Sequence, residues 1–95
     1  MTIKNYGLLI KELYAELIKL ETEEEAELFL EDLCTMKELE SMSQRLRAAK
    51  MLLDGKTYNE IVVETEISSA TLARVSKCIR YGKGGYKTIL SKNKD

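Results

Sequence analysis

Ile3, Tyr6, Ile10, Leu13, Leu17 and Leu20 recur at intervals of three and four residues, so a 3.6-residue helix carries them all on one stripe. Leu9, Tyr14 and Ile18 widen that stripe, and a helix apolar beyond one seam needs cover on more than one side. A second helix is predicted from Thr22, which forms the T-x-x-E pattern of a capping box with Glu25. Its first turns carry Glu23, Glu24, Glu25 and Glu27, and its apolar positions are Ala26, Phe29, Leu30 and Leu33. Carboxylates there suit the positive end of the helix dipole, so the acidic run reads as a well-capped start rather than a binding site. Thr35 and Glu38 repeat the box. They open a third helix with Leu39, Met42, Leu46, Ala49, Leu52 and Leu53 inward, and Gly55 suits a left-handed stop.

Beyond Gly55 the elements shorten. Thr57 and Glu60 form another T-x-x-E box, beginning a helix to about Thr65 with Ile61 and Val62 as its buried candidates. A turn at Glu66 and Ile67 follows, and Ser68 caps a second short helix. Leu72, Val75 and Ile79 share one face of it, which turns Ser69, Ala70, Ala73, Ser76, Lys77 and Arg80 outward. Gly82 ends this helix, the Gly84-Gly85 pair makes a joint, and a last short helix is predicted near Tyr86 to Leu90 before a tail, SKNKD, expected to fray.

Composition agrees with an all-α chain: 33% charged, 44% apolar, five Gly and no Pro in 95 residues leave few places for linkers or strand-rich architecture. Residues 1–95 form a single domain, divided into acidic dimerisation helices (1–54), two short helices joined by a turn (55–82) and a C-terminal helix with its tail (83–95). A chain of this size buries only about 60 to 65% of its unfolded surface, so a partner subunit would help it. No apolar run approaches the roughly 18 residues of a membrane span, and charges interrupt the start, MTIKNYGLLIKE, too early for a signal peptide. A cytoplasmic protein is expected. Cys34 and Cys78 lack pairing or metal-ligand spacing and read as small buried or half-buried residues.

Net charge, only −1, conceals an asymmetry. Residues 1–40 hold four Lys against eleven acids, a balance of −7, whereas residues 41–95 hold eleven Lys and Arg against five acids, a balance of +6. From Ile67 onward there are seven bases and one acid, Asp95, the local patch that a polyanion seeks. Enzymatic chemistry finds little support: there is no His, no clustered metal set, no Gly-rich phosphate loop, and neither Cys has a base at helical spacing. No metal site is expected.

Glu60-Ile61-Val62 followed by Ile67-Ser68-Ser69-Ala70-Thr71-Leu72-Ala73-Arg74 resembles the helix-turn-helix, whose second helix lies in the DNA major groove. Glu66 stands where many such motifs have Gly, and this position would have to accept left-handed strain or a differently built turn. Met36-Lys37-Glu38-Leu39-Glu40 through Arg45-Leu46-Arg47, then Leu52-Leu53 and Gly55, then Ala70 to Arg74, follow the order and near spacing of the Trp repressor family over roughly residues 35 to 80. Acidic N-terminal helices before a basic reader also look like the short Trp-repressor-like proteins of the YerC/YecD type. The resemblance implies an all-helical, intertwined homodimer whose two readers meet successive major grooves about 34 Å apart. It implies a sequence-specific DNA-binding transcriptional regulator, a repressor in the usual case. The alternative is a protein-interaction adaptor that keeps the helix-turn-helix without DNA binding.

DNA contacts are expected from Lys56, Tyr58 and Asn59 at the start of the first motif helix, and from Ser68, Ser69, Ala70, Thr71, Ala73, Arg74, Lys77, Arg80 and Lys83. The outward first turn of the reader carries no Asn, Gln or Arg for bidentate base reading. Ala70 or Ala73 can meet a thymine methyl, while bridging water and DNA shape carry the rest; water-mediated reading is known of the Trp repressor and enters by resemblance alone. The family's tryptophan lies between two arginines beside a threonine, and Arg45, Arg74 and Thr35 fall on the matching positions. Guanidinium planes stack on rings and pair with carboxylates. Val75, in place of the Gly of tryptophan binders, would intrude on an indole, and Cys78 replaces a Ser. L-Tryptophan is thus the disfavoured occupant of an effector pocket formed by Thr35, Arg45, Arg74, Val75 and Cys78, against a different small ligand or none.

Overall fold

The computed structural model describes residues 5–92. Ile3 of the first stripe and the last three residues of the tail lie outside that range. The described residues form six helices and no strand: α1 (Tyr6–Leu17), α2 (Glu23–Leu33), α3 (Met36–Leu53), α4 (Tyr58–Thr65), α5 (Ser69–Tyr81) and α6 (Gly85–Leu90). They divide into two compact units, one reaching to Met36 and one beginning at Lys37. Apart from its first residue, Met36, α3 belongs to the second unit.

In the first unit, Asn5 Oδ1 accepts from the Leu8 N–H at 3.3 Å and so caps α1. The helix stops at Leu17, and Leu20, the last member of the predicted stripe, follows in a turn closed by its N–H donating to the Leu17 carbonyl. Thr22 Oγ1 accepts from the Glu25 N–H at 3.0 Å. Glu25 returns its carboxylate to the Glu21 N–H at 2.9 Å, one residue before the cap, so the predicted box is half formed and shifted by one. Neither α1 nor α2 buries a single residue, and Tyr6 and Ile18 are 73% and 85% exposed. Within this unit Leu9, Leu17 and Leu20 are half-buried, while Tyr6, Leu8, Ile10, Leu13, Tyr14 and Ile18 remain exposed.

The second unit holds the core. Ala48 and Met51 of α3, Ile61 of α4, Ile67 of the turn and Leu72 of α5 form one buried cluster, flanked by Leu52 and Val62. Only the C-terminal turns of α3 are covered. Met42 and Leu46, expected inward, stay 37% and 43% exposed on turns that precede the cluster, and Leu53, also expected inward, is the last residue of the helix and 39% exposed. Its end is a Schellman motif: the Lys56 N–H donates to the Met51 carbonyl and the Gly55 N–H to that of Leu52, with Gly55 at φ 83°.

Both halves of the box on α4 are made. The Glu60 N–H donates to Thr57 Oγ1 at 3.2 Å, and the Thr57 N–H donates to Glu60 Oε2 at 2.8 Å. That backbone donor holds the Glu60 carboxyl below its ordinary range, against a weaker opposing effect of desolvation and with help from the Thr57 hydroxyl and Lys56. A folded-state pKa below the unfolded one means stability that is present above the ordinary carboxylate range and lost as pH falls through the folded value. Glu60→Gln is therefore expected to lower helicity-monitored stability near neutrality, with the difference from wild type vanishing in acid.

Glu66, the residue after α4, sits at φ 60° and ψ 17°, in the left-handed region. The sequence marks this position as the place where Gly is usual, and the chain adopts the same geometry without it. Left-handed backbone costs a residue with a Cβ roughly 1 to 2 kcal/mol, partly offset by the lower unfolded-state entropy of Glu. Glu66→Gly is expected to raise stability by about 0.5 to 1 kcal/mol in denaturant titration.

Candidate nucleic-acid interface and effector cleft

Ser68 caps α5. Its Oγ accepts from the Thr71 N–H at 3.2 Å and lies 2.9 Å from Thr71 Oγ1, to which its hydroxyl donates, so the first turn of α5 is held by a serine and a threonine. Leu72 and Val75 face the core at 0% and 2% exposure, and Ile79 is half-buried. The opposite face holds Ser69, Ala70, Ala73, Arg74, Lys77 and Arg80, all exposed, with Thr71 half-buried at its edge. Ser76 corrects the expectation: it is buried at 7% exposure. Four residues after Leu72 and three before Ile79, it falls on the core stripe, where a small side chain fits.

Lys56, Tyr58, Asn59 and Lys83 are exposed as well. From Ile67 to Lys92 the chain carries Arg74, Lys77, Arg80, Lys83, Lys87 and Lys92 and no acid. The outward side of α5 is therefore short-chained near its start and cationic further along. In general, small side chains let a helix approach a surface closely, and long cationic ones are suited to phosphates around it.

A cleft of about 400 Å³ opens beside α5. Ser41 and Arg45 of α3 form one wall, Thr71, Arg74, Val75 and Cys78 of α5 another, and Tyr86 of α6 closes it. Arg45 Nη1 donates to Ser41 Oγ at 3.3 Å, and no acidic side chain lines the cavity. Two arginines among three hydroxyl-bearing residues are groups whose chemistry pairs with an anion. Arg45, Arg74, Val75 and Cys78 of the expected pocket thus share one cavity; Thr35 is exposed and belongs to the first unit. Cys78 is exposed rather than buried, and Cys34 is half-buried at the C-cap of α2.

Sequence reasoning missed Ser41 and Tyr86. Ser41 stands one turn before Arg45, a spacing that could have flagged it. Tyr86 gives no such signal, since only the return of α6 after Gly84, at φ 83°, brings it to α5. A second cavity, about 590 Å³ and mainly apolar, lies between Leu46 of α3, the end of α5 and Tyr86, Ile89 and Leu90 of α6.

No helix among the described residues is long and apolar enough to cross a membrane. The family model for the Trp repressor protein matches residues 9–94. The uncharacterized protein YerC of Bacillus subtilis is 40% identical over 86 residues, covering 90% of this chain and 83% of that protein. Among solved structures, a Staphylococcus aureus chain provisionally described as a Trp repressor superposes with a TM-score of 0.84 at 38% identity, covering 94% of this chain and 92% of its own. A TrpR-like protein of Eubacterium eligens gives 0.83 at 37% identity, with 87% and 86% covered. The helix-turn-helix built by α4 and α5, with a match running through nearly the whole chain, makes this protein a member of the Trp repressor family.

Proposed function

We propose that the protein is a sequence-specific, DNA-binding transcriptional regulator that acts as a homodimer and represses by occupying its site. The observation that carries this reading is the division of α5: Leu72 and Val75 are buried, while Arg74, Lys77 and Arg80 stand exposed on a segment free of acids. Ser68, Ser69, Ala70, Thr71 and Ala73 meet the base edges, and Arg74, Lys77, Arg80 and Lys83 with Lys56, Tyr58 and Asn59 meet the backbone. Phosphate contacts supply most of such affinity and make it fall steeply with salt.

The homodimer rests on apolar surface without cover. Tyr6, Leu8, Ile10, Leu13, Tyr14 and Ile18 of the first unit, and Leu46 and Ile89 of the second, are exposed in the single chain. Surfaces of this kind mark interfaces, and the −7 and +6 halves suit two copies placed with unlike charges together. Sedimentation is expected to give twice the monomer mass.

The arginine cleft is the effector site in this reading, occupied by a small ligand with a carboxylate or phosphate. Val75 lines it, where the family's tryptophan binders carry a Gly, and its branched side chain is the reason L-tryptophan is the disfavoured occupant. The deciding experiment is fluorescence anisotropy with pooled duplex fragments at two salt concentrations, with and without L-tryptophan, followed by sequencing of the retained DNA. Enrichment of a palindrome with steep salt dependence supports the regulator, unaffected by tryptophan. Flat anisotropy at every salt concentration favours the adaptor reading.

A further inference from the structure

Two side chains of α3, one turn apart, reach across to the last turn of α4. Gln44 Nε2 donates to the Thr65 carbonyl at 3.1 Å in a partly buried contact, and Arg47 Nε donates to Glu64 Oε2 at 2.7 Å. Thr65 is the final residue of α4, and the last carbonyls of a helix have no acceptor role left inside it. Gln44 fills that vacancy from outside the motif. Thr65 also ties the turn internally: its hydroxyl donates to the Ile61 carbonyl at 2.7 Å and accepts from the Ile67 N–H at 3.2 Å. Directly between these bonds sits Glu66, whose left-handed backbone redirects the chain toward Ser68 and α5.

We infer that Gln44 and Arg47 are positioning residues that clamp the end of α4 and so fix the angle at which α5 is presented. The inference rests on the proposed reading of duplex DNA and assigns these residues a share in its specificity. Base edges discriminate only when the reader is held to a narrow range of orientation, whereas long Lys and Arg side chains keep their phosphates over a wider range. A loosened turn should therefore weaken binding to the preferred site more than to random duplex. The arrangement also joins clamp and cleft, because Arg45, next to Gln44 in α3, lines the cavity against Thr71 and Arg74 of the reader's first turns.

The test uses the full chain with Gln44→Ala, Glu64→Ala and the charge swap Arg47→Glu with Glu64→Arg. Two readouts are taken: the ratio of affinities for the enriched duplex and a scrambled one, and hydrogen exchange at the Glu66 and Ile67 amides, which are bonded to the Val62 carbonyl and Thr65 Oγ1. Gln44→Ala should lower the affinity ratio by about as much as one mismatched base pair, roughly five- to a hundredfold. Glu64→Ala removes a negative charge, so electrostatics alone raises affinity for every duplex; the clamp still lowers the ratio. The charge swap should restore it. Exchange at Glu66 and Ile67 should quicken at least severalfold in the single variants while the Ile61 and Leu72 amides keep their protection.

An unchanged ratio, or both affinities falling together, overturns the assignment of specificity. Unchanged exchange overturns the clamp whether or not DNA is bound. Failure of the wild-type protein to retain any duplex removes the DNA reading instead, and the exchange data then judge the clamp by themselves.

Discussion

Lys77→Glu or Arg80→Glu should weaken binding to duplex DNA by roughly tenfold or more at moderate salt, and the double variant should abolish it. Both side chains are exposed on α5 and have no ion pair among the described residues, so reversal removes no folded-state partner. Each phosphate contact contributes about one unit to the salt slope, and replacing a cation by an anion adds repulsion to that loss. The slope should therefore flatten alongside the fall in affinity, to a similar degree for enriched and scrambled sequences. Far-ultraviolet dichroism and sedimentation should match wild type. Anisotropy of the variants across a salt series is the check, and undiminished binding would remove the basic face from the proposed interface.

Leu72→Ala should have the largest effect on stability. Leu72 and Ile61 are the largest side chains wholly shielded from solvent, and they meet across the small cluster that joins α3, α4 and α5. Truncating a buried leucine costs about 2 to 5 kcal/mol, through lost burial and the cavity left behind. Domains of this size have only about 5 to 15 kcal/mol in total, so the melting temperature should fall by roughly 10 °C or more. Leu46→Ala supplies the contrast. At 43% exposure in the single chain it should cost far less, unless a second copy covers it. Thermal melts of both variants at two protein concentrations separate these cases: a Leu46→Ala penalty near that of Leu72→Ala, with a concentration-dependent midpoint, is the signature of an interface.

Much of the fold could be read before the structure. Thr57 with Glu60, Ser68 and Gly55 act locally, within one turn, so their patterns translate directly into the caps observed. Leu72, Val75 and Ile61 were identifiable because a periodic apolar residue in a short helix has one place to go. The same periodicity misplaced Ser76, since the rule weighs polarity, while burial of a small hydroxyl depends on which stripe it occupies. Arg45, Arg74, Val75 and Cys78 were gathered by resemblance, and the cavity brings them together; Ser41 and Tyr86 needed the geometry.

The six helices, the caps at Thr57, Ser68 and Gly55, the division of charge and the outward basic face of α5 were written in the sequence alone, because each follows from residues within a turn or two of one another. Tertiary structure decided which apolar stripes are covered. Met42 and Leu46 are as apolar as Met51 and Leu52, yet only the later turns of α3 reach the cluster formed with Ile61, Ile67 and Leu72. It also decided that Gln44 and Arg47 grip the end of α4, across 21 and 17 residues of chain. Such contacts carry no periodic signal, because they depend on where two separately formed helices come to rest, and the burial of Ala48 and Met51 of α3 with Ile61, Ile67 and Leu72 sets that placement rather than the polar residues that exploit it.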